Sequence, residues 1–251
     1  MIYDSHAHLI VGRIEQSKAM LLECAEIFNI SKIFISTLDL ELPNPSMDQV
    51  EYANGETFKF KKEHPELIEG YVYVSPEHKN AIDTVRRGME DCCASGAKLW
   101  MATECDDARV NPIVEKMIEY NAPILIHTFH KAAGQLPRET TAANAARLAR
   151  RYPEAKFIMA HLGGNAYYSM PPIRSLDNVW VDLCSSIYRG DELMYTLETI
   201  GEDRLLFGSD TPAPMCCRGC IGQVEELEVS QEIKDKIFYL NSRNLFEGRK
   251  K

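Results

Sequence analysis

The sequence predicts a (β/α)8 barrel, and three observations carry the prediction. Eight short apolar runs alternate with amphipathic stretches along the chain. Most of these runs are continuous rather than alternating, as expected for a parallel sheet whose outer face is covered by helices. The chain has 251 residues, 45% of them hydrophobic, which is the size of one such barrel.

The runs read as strands are IYDSHAH (2–8), KIFIST (32–37), IEGYVYVS (68–75), AKLWMA (97–102), PILIHTF (123–129), KFIMAHL (156–162), VWVDLCS (179–185) and RLLFGSD (204–210). Helical spacing fills the gaps: QSKAMLLECAEIF (16–28), MDQVEYANGETFKFKKEH (47–64, interrupted at Gly55) and AIDTVRRGMEDCC (81–93). VNPIVEKMIEY (110–120), TAANAARLARRY (141–152) and DELMYTLETI (191–200) follow. SQEIKDKIFYLNSRNLFEG (230–248) carries two short closing helices. A single domain over residues 1–251, with C-terminal helices from about 230, is the economical division. An open doubly wound sheet shares this periodicity. However, no G-x-G-x-x-G or G-x-x-x-x-G-K-[ST] occurs to support a nucleotide-binding domain.

Lys and Arg total 28 against 37 Asp and Glu, a net charge of −9. That balance argues against a nucleic-acid or anionic-membrane partner, both of which need basic patches. It leaves room for a locally positive site and an anionic substrate. No stretch approaches the roughly 20 apolar residues of a membrane span. The N-terminus lacks a signal-peptide pattern, because Asp4 and its polar neighbours interrupt it. The expected setting is therefore the cytoplasm, with the eight cysteines (24, 92, 93, 105, 184, 216, 217 and 220) reduced.

The chain opens MIYDSHAHLI. Side chains alternate along a strand, so His6 and His8 share a face and can share a metal ion. Asp4, one step deeper on that face, either accepts an imidazole N–H or has a structural role. His127 ends the fifth predicted strand, His161 the sixth and Asp210 the eighth, while Lys98 lies within the fourth. Singly, each has an ordinary explanation: a buried histidine bonded to backbone, or an Asx turn at Asp210. Together they gather at the C-terminal ends of barrel strands, the face on which active sites are built. Gly163 and Gly164 follow His161, where a turn near the metal favours residues without side chains. His64 and His78 are read as surface residues; His130 is read as one too, with a reach to substrate from the loop after the fifth strand as the alternative.

These pieces resemble the amidohydrolase superfamily, in particular its amidohydrolase-2 branch. The matching motifs are DSHAHL (4–9), GAKLWMA (96–102), ILIHTF (124–129), MAHLGG (159–164), NVWVDLCSS (178–186), LLFGSD (205–210) and YLNSRNLF (239–246). The resemblance implies His6, His8, His127 and Asp210 as metal ligands. It also implies His161 as a catalytic or ligand-supporting histidine, or as a ligand if a second metal binds. The implied cofactor is one divalent ion, Zn²⁺ first, with Mn²⁺ or Fe²⁺ as alternatives. In two-metal members a carbamylated lysine on the fourth strand bridges the ions, so Lys98 is read either that way, as a cation for a substrate carboxylate, or as half of a structural pair. Single-metal members often carry K-L-H-P there; here Trp100 and Met101 replace the last two residues.

The expected activity is hydrolysis of a small amide, lactone or ester. The metal would lower the pKa of a bound water from about 15.7 towards about 7, Asp210 would carry its proton, and His161 would polarise the carbonyl. The alternative within the same branch is decarboxylation of a small unsaturated or aromatic acid. A catalytically silent barrel is the rival outside enzymology. Trp100, Tyr167 and Arg218 are candidate substrate contacts; Arg13, Arg138, Tyr188 and Met215 are further loop residues near the expected pocket. CCRGC (216–220) is read as a loop of small or thiol-bearing residues after the eighth strand, with Cys184 and Ser185 posing the same question at the seventh. The expected partner is a small organic acid or its lactone, and a homo-oligomer is possible.

Overall fold

A computed structural model describes residues 1–184, 190–212 and 217–247. Ser185, Tyr188, Met215 and Cys216 lie outside the described residues. Eight parallel strands run in the order of the sequence: β1 (Ile2–Ile10), β2 (Ile30–Leu38), β3 (Ile68–Tyr73), β4 (Gly96–Leu99), β5 (Ile124–Ile126), β6 (Phe157–Met159), β7 (Val179–Asp182) and β8 (Leu205–Leu206). The ring closes where the end of β8 meets β1. Ser5 N–H donates to the Phe207 carbonyl at 2.9 Å, Asp210 N–H to that of His6 at 2.7 Å, and His8 N–H to that of Thr211 at 2.8 Å. The predicted barrel is the observed one.

Helices alternate with the strands: α1 (Ile14–Phe28), α2 (Met47–Glu63), α3 (Ala81–Glu90), α4 (Asn111–Glu119), α5 (Ala142–Arg151), α6 (Ala166–Ser169), α7 (Gly190–Ile200) and α8 (Cys217–Glu225). Two more, α9 (Gln231–Asp235) and α10 (Asn241–Phe246), close the chain. Gly55 does not break α2. A capping box between Ser46 and Gln49 starts that helix, and Val50, Ala53, Thr57 and Phe60 bury one face through the glycine.

Two sequence expectations fail here. CCRGC is not a loop over its described part, because Cys217 and Cys220 lie in the first turns of α8 and are buried in the core with Ile221 and Val224. The predicted strand ends also overshoot. β5, β6 and β8 stop before His127, His161 and Asp210, whose backbone turns away from the ladder at the rim.

The lower half of the barrel interior is apolar. Phe34, Tyr71, Leu125, Ile158 and Leu206 project inward from five strands, and α10 plugs the end, with Phe246 stacked 4.0 Å from the Phe34 ring. The Tyr71 hydroxyl there donates to the Ser5 carbonyl at 2.8 Å, and the histidines and carboxylates of β1 and the strand ends collect at the other end. No described helix is long and apolar enough to cross a membrane.

Candidate metal centre

β1 continues inward as Asp4, His6 and His8, all buried. His6 Nδ1–H donates to Asp182 Oδ2 at 2.9 Å, and His8 Nδ1–H to the Ser36 carbonyl at 3.0 Å. Those bonds leave both Nε2 atoms as bare lone pairs. The two Nε2 atoms face each other at 3.0 Å, and Asp210 Oδ1 stands 3.1 Å from His8 Nε2 and 3.7 Å from His6 Nε2. Three electron-pair donors thus converge with no proton of their own between them. Lys98 Nζ, 3.1 Å from His6 Nε2, can satisfy one. A divalent cation satisfies all three, and imidazole with carboxylate is a donor set that such ions take.

A second pair of imidazoles lies beside the first. His127 Nε2–H donates to Glu139 Oε1 at 3.2 Å, so its Nδ1 lone pair faces His161 Nε2 at 3.1 Å. One N–H on His161 completes that contact without a metal. His161 Nδ1 stands 3.3 Å from Cys184 Sγ and 4.0 Å from Asp210 Oδ2. Among the described residues, His6, His8 and Asp210 form one compact donor group, and His6, His161, Asp182 and Cys184 another. His127 belongs to neither; it joins the site through His161.

Burial sets the protonation states. It drives His6 well below the ordinary imidazole range, His127 down less far, and His161 down to about 4. The rings are therefore in the neutral, ligating form at pH 7. Burial also lowers the Lys98 ammonium to about 8, opposed by the charges of Asp210 and Asp182. For Asp210 burial favours the acid, and a proton on His8 or on the other facing imidazoles outweighs it and holds the carboxyl well below its usual range; with the rings neutral, a cation would take that proton's place. Burial and the Asp182 carboxylate keep Cys184 a thiol, which donates to Asp182 Oδ1 at 2.8 Å.

The backbone at the rim is strained. His161, Leu162, Gly163 and Gly164 all have φ between 48° and 80°, and Asp210 has φ 56°. Non-glycine residues there cost about 1–3 kcal/mol each and persist where surrounding contacts enforce them. Here Asp182 Oδ1 accepts His161 N–H at 2.8 Å, and the Gly163 carbonyl accepts His130 N–H at 2.8 Å. At Gly164 a Cβ would sit 2.6 Å from the His130 backbone nitrogen. Gly164→Ala is accordingly expected to lower stability by about 2 kcal/mol or more, read as a lower midpoint in thermal unfolding. An unchanged midpoint would mean that this turn is free to rearrange.

Other predicted residues fall in varied places. Trp100 packs against His127 with ring centroids 4.5 Å apart. Its buried Nε1–H has no partner among the described residues, which leaves a donor available beside the site. Tyr167 is exposed and its hydroxyl bonds to Asp191 Oδ2 at 2.5 Å, and His130 stacks on Tyr168 at 4.7 Å. Arg138 is held by Glu77 and the Ala102 carbonyl. Arg218 is exposed on α8, with its guanidinium over the Phe28 ring at 5.9 Å, so the structure does not bring it to the cluster. Asp4 takes the structural one of the two roles open to it: it accepts from Ser209 N–H, Ser209 Oγ–H and His6 N–H, fastening β1 to the chain after β8. The imidazole N–H goes to Asp182 instead. Asp182 and Glu139 are the two site residues that sequence reasoning missed.

The family model described as amidohydrolase matches residues 57–248. No curated protein matches the chain. Among solved structures, a 2,6-dihydroxybenzoate decarboxylase from Rhizobium superposes with a TM-score of 0.77 at 16% identity, covering 98% of this chain and 99% of its own. A dihydroxybenzoic acid decarboxylase from Polaromonas, solved with bound manganese and the inhibitor 2-nitroresorcinol, gives 0.76 at 16%, with 98% and 97% covered. A 4-oxalomesaconate hydratase from Rhodopseudomonas palustris gives 0.72 at 18%, with 98% and 95% covered. At these identities the likeness shows the fold.

Proposed function

Since the chain belongs to the amidohydrolase family, we propose that it is a metal-dependent decarboxylase of a small aromatic or unsaturated carboxylic acid. One observation carries the metal: the unprotonated His6 Nε2, His8 Nε2 and Asp210 Oδ1, locked face to face by the hydrogen bonds of Asp182 and Ser36. His127, beside His161, is the fourth ligand in this reading once the pair opens towards the ion. The bound ion would act as a Lewis acid on a substrate oxygen. Zinc and manganese both suit nitrogen and carboxylate donors, and the Polaromonas enzyme holds manganese.

The choice of decarboxylation over the hydrolysis expected from sequence rests on two supports. Two of the similar folds decarboxylate hydroxybenzoates. The buried Lys98, the proton-rich group of the cluster, is placed to balance the charge of an anionic substrate. In the reaction the bond between the carboxylate and the ring or vinyl carbon breaks and CO2 leaves. The electron pair stays on carbon, which takes a proton. Asp210 is the proton carrier: ionised at rest, it takes a proton from a substrate hydroxyl or water and returns it to that carbon. His161, neutral, donates or accepts a hydrogen bond at the substrate oxygen.

The same Asp210 and His161 would serve hydrolysis, so the test separates the two. Metal-loaded protein is incubated with a panel of hydroxybenzoates and unsaturated acids, and with lactones and amides, in water enriched in heavy oxygen. Released CO2 with no label in the organic product is expected; labelled acid from a lactone or amide would replace this reading with hydrolysis. Removal of metal by chelation should abolish turnover. Zinc or manganese added back at 100 times its dissociation constant should stabilise the fold by about 2.7 kcal/mol, roughly 5–10 °C for a chain of this length. No stabilisation by any divalent ion would remove the metal from the mechanism.

A further inference from the structure

The geometry points to a substrate-anion subsite at Arg13: a cavity at the rim, bordered by the ends of β1 and of the chain after β8 that also carry His8 and Asp210, takes the apolar body of the substrate, and Arg13 takes an acid group remote from the reacting end. This inference rests on the proposed reading of the cluster as the reacting centre and names the substrate class as an aromatic or conjugated acid bearing a second polar group.

The cavity, about 300 Å³, is lined by Ile10, Arg13, Gln16, Met20, Leu40 and Pro212, near the lower end of small-molecule sites. Its position follows from the chain. Ile10 stands two residues beyond His8 on the inward row of β1, and Pro212 two beyond Asp210. The two segments are joined by the His8 N–H bond to the Thr211 carbonyl. Neighbouring Leu9 packs into the outer helical core, which Ile10 does not join. Cavity and cluster thus share the same two stretches of backbone.

The lining is chemically mixed in the way an amphipathic acid requires. Met20 and Leu40 remain 37% and 39% exposed at its edge, although both are large and apolar. Arg13 is exposed and precedes α1 without capping it. Its guanidinium has no partner among the described residues, whereas Arg87, Arg109, Arg138, Arg147 and Arg204 are all engaged. Ser17, which also borders the cavity, is spent on the Ile10 N–H and the Arg13 carbonyl. A planar guanidinium beside apolar walls recognises a carboxylate in two-point fashion.

The test is a binding titration of metal-loaded protein with benzene-1,3-dicarboxylate and with its neutral diamide, on the unaltered chain and on Arg13→Gln. The side chain is exposed and caps nothing, so the variant should fold normally, checked by an unchanged unfolding midpoint. The dicarboxylate should bind the unaltered chain and weaken by about tenfold to a hundredfold in the variant, with the diamide unaffected by the change. Equal weakening of both probes, no weakening, or no binding of the dicarboxylate overturns the subsite. If no acid releases CO2 yet Arg13→Gln selectively loses the dicarboxylate, the decarboxylase reading falls and the subsite stands. If CO2 is released and Arg13→Gln leaves KM untouched, the reverse holds.

Discussion

Asp210→Asn is expected to leave the barrel folded and to cut turnover by about a thousandfold or more. The substitution is close to neutral for the backbone: Asp210 has φ 56°, a left-handed conformation that asparagine tolerates and that alanine does not. It is severe for the chemistry. Asparagine keeps the shape but loses the charge that opposes the buried Lys98 ammonium, and it cannot carry the proton. Loss of general acid–base transfer alone costs about 10²–10⁴ in rate. Loss of an anionic ligand beside His8 Nε2 weakens the metal on top of that. Metal content by mass spectrometry and turnover at saturating metal separate the two contributions. Full activity in Asp210→Asn would remove both roles from this residue and leave the imidazoles as the working groups.

The barrel was readable because its strands are buried on both faces and so appear as continuous apolar runs, each followed by a helical pattern. The candidate site was legible for the same reason in reverse: His127, His161 and Asp210 are polar residues near the ends of apolar runs, and their gathering on one rim is what the ordinary uses of each alone do not explain. The boundaries misled because those residues have left the ladder. β5, β6 and β8 are only two or three residues long, and the rim backbone takes up left-handed conformations that no propensity anticipates.

Asp182 carries a related signal, a carboxylate inside the apolar VWVDLC, but it lies three residues short of the predicted strand end, where it reads as part of the strand. Glu139 carried none. Its loop has no periodicity, and only the folded chain brings it to His127. Cys217, Cys220, Ile221 and Val224 are spaced 0, 3, 4 and 7, the mark of a helix face.

Asp182 is where the metal argument is most exposed, because its carboxylate decides which His6 nitrogen carries the proton. Oδ2 accepts His6 Nδ1–H, while Oδ1 accepts both the His161 backbone N–H and the Cys184 thiol. Asp182→Ala strands three buried donors, at about 1–3 kcal/mol each when unsatisfied. It should unfold some 10 °C or more below the unaltered chain, a loss that says nothing of the metal. Asp182→Asn is the sharper experiment. Its carbonyl can take the Oδ1 place and still accept from His161 and Cys184, so stability should stay close to that of the unaltered chain. Its NH2 then faces His6 Nδ1, which must become the acceptor, and the ring proton moves to Nε2. That proton occupies the lone pair which faces His8 and Asp210. Metal affinity should therefore fall by about 10–100-fold, the usual cost of losing the group that orients a ligating histidine, while the unfolding midpoint of the metal-free protein barely moves. A variant that keeps full affinity would show that His6 does not depend on Asp182 for its tautomer. The Lys98 ammonium would then be the natural partner of His6 Nε2, and the convergence of lone pairs would have to be carried by His8 and Asp210 alone.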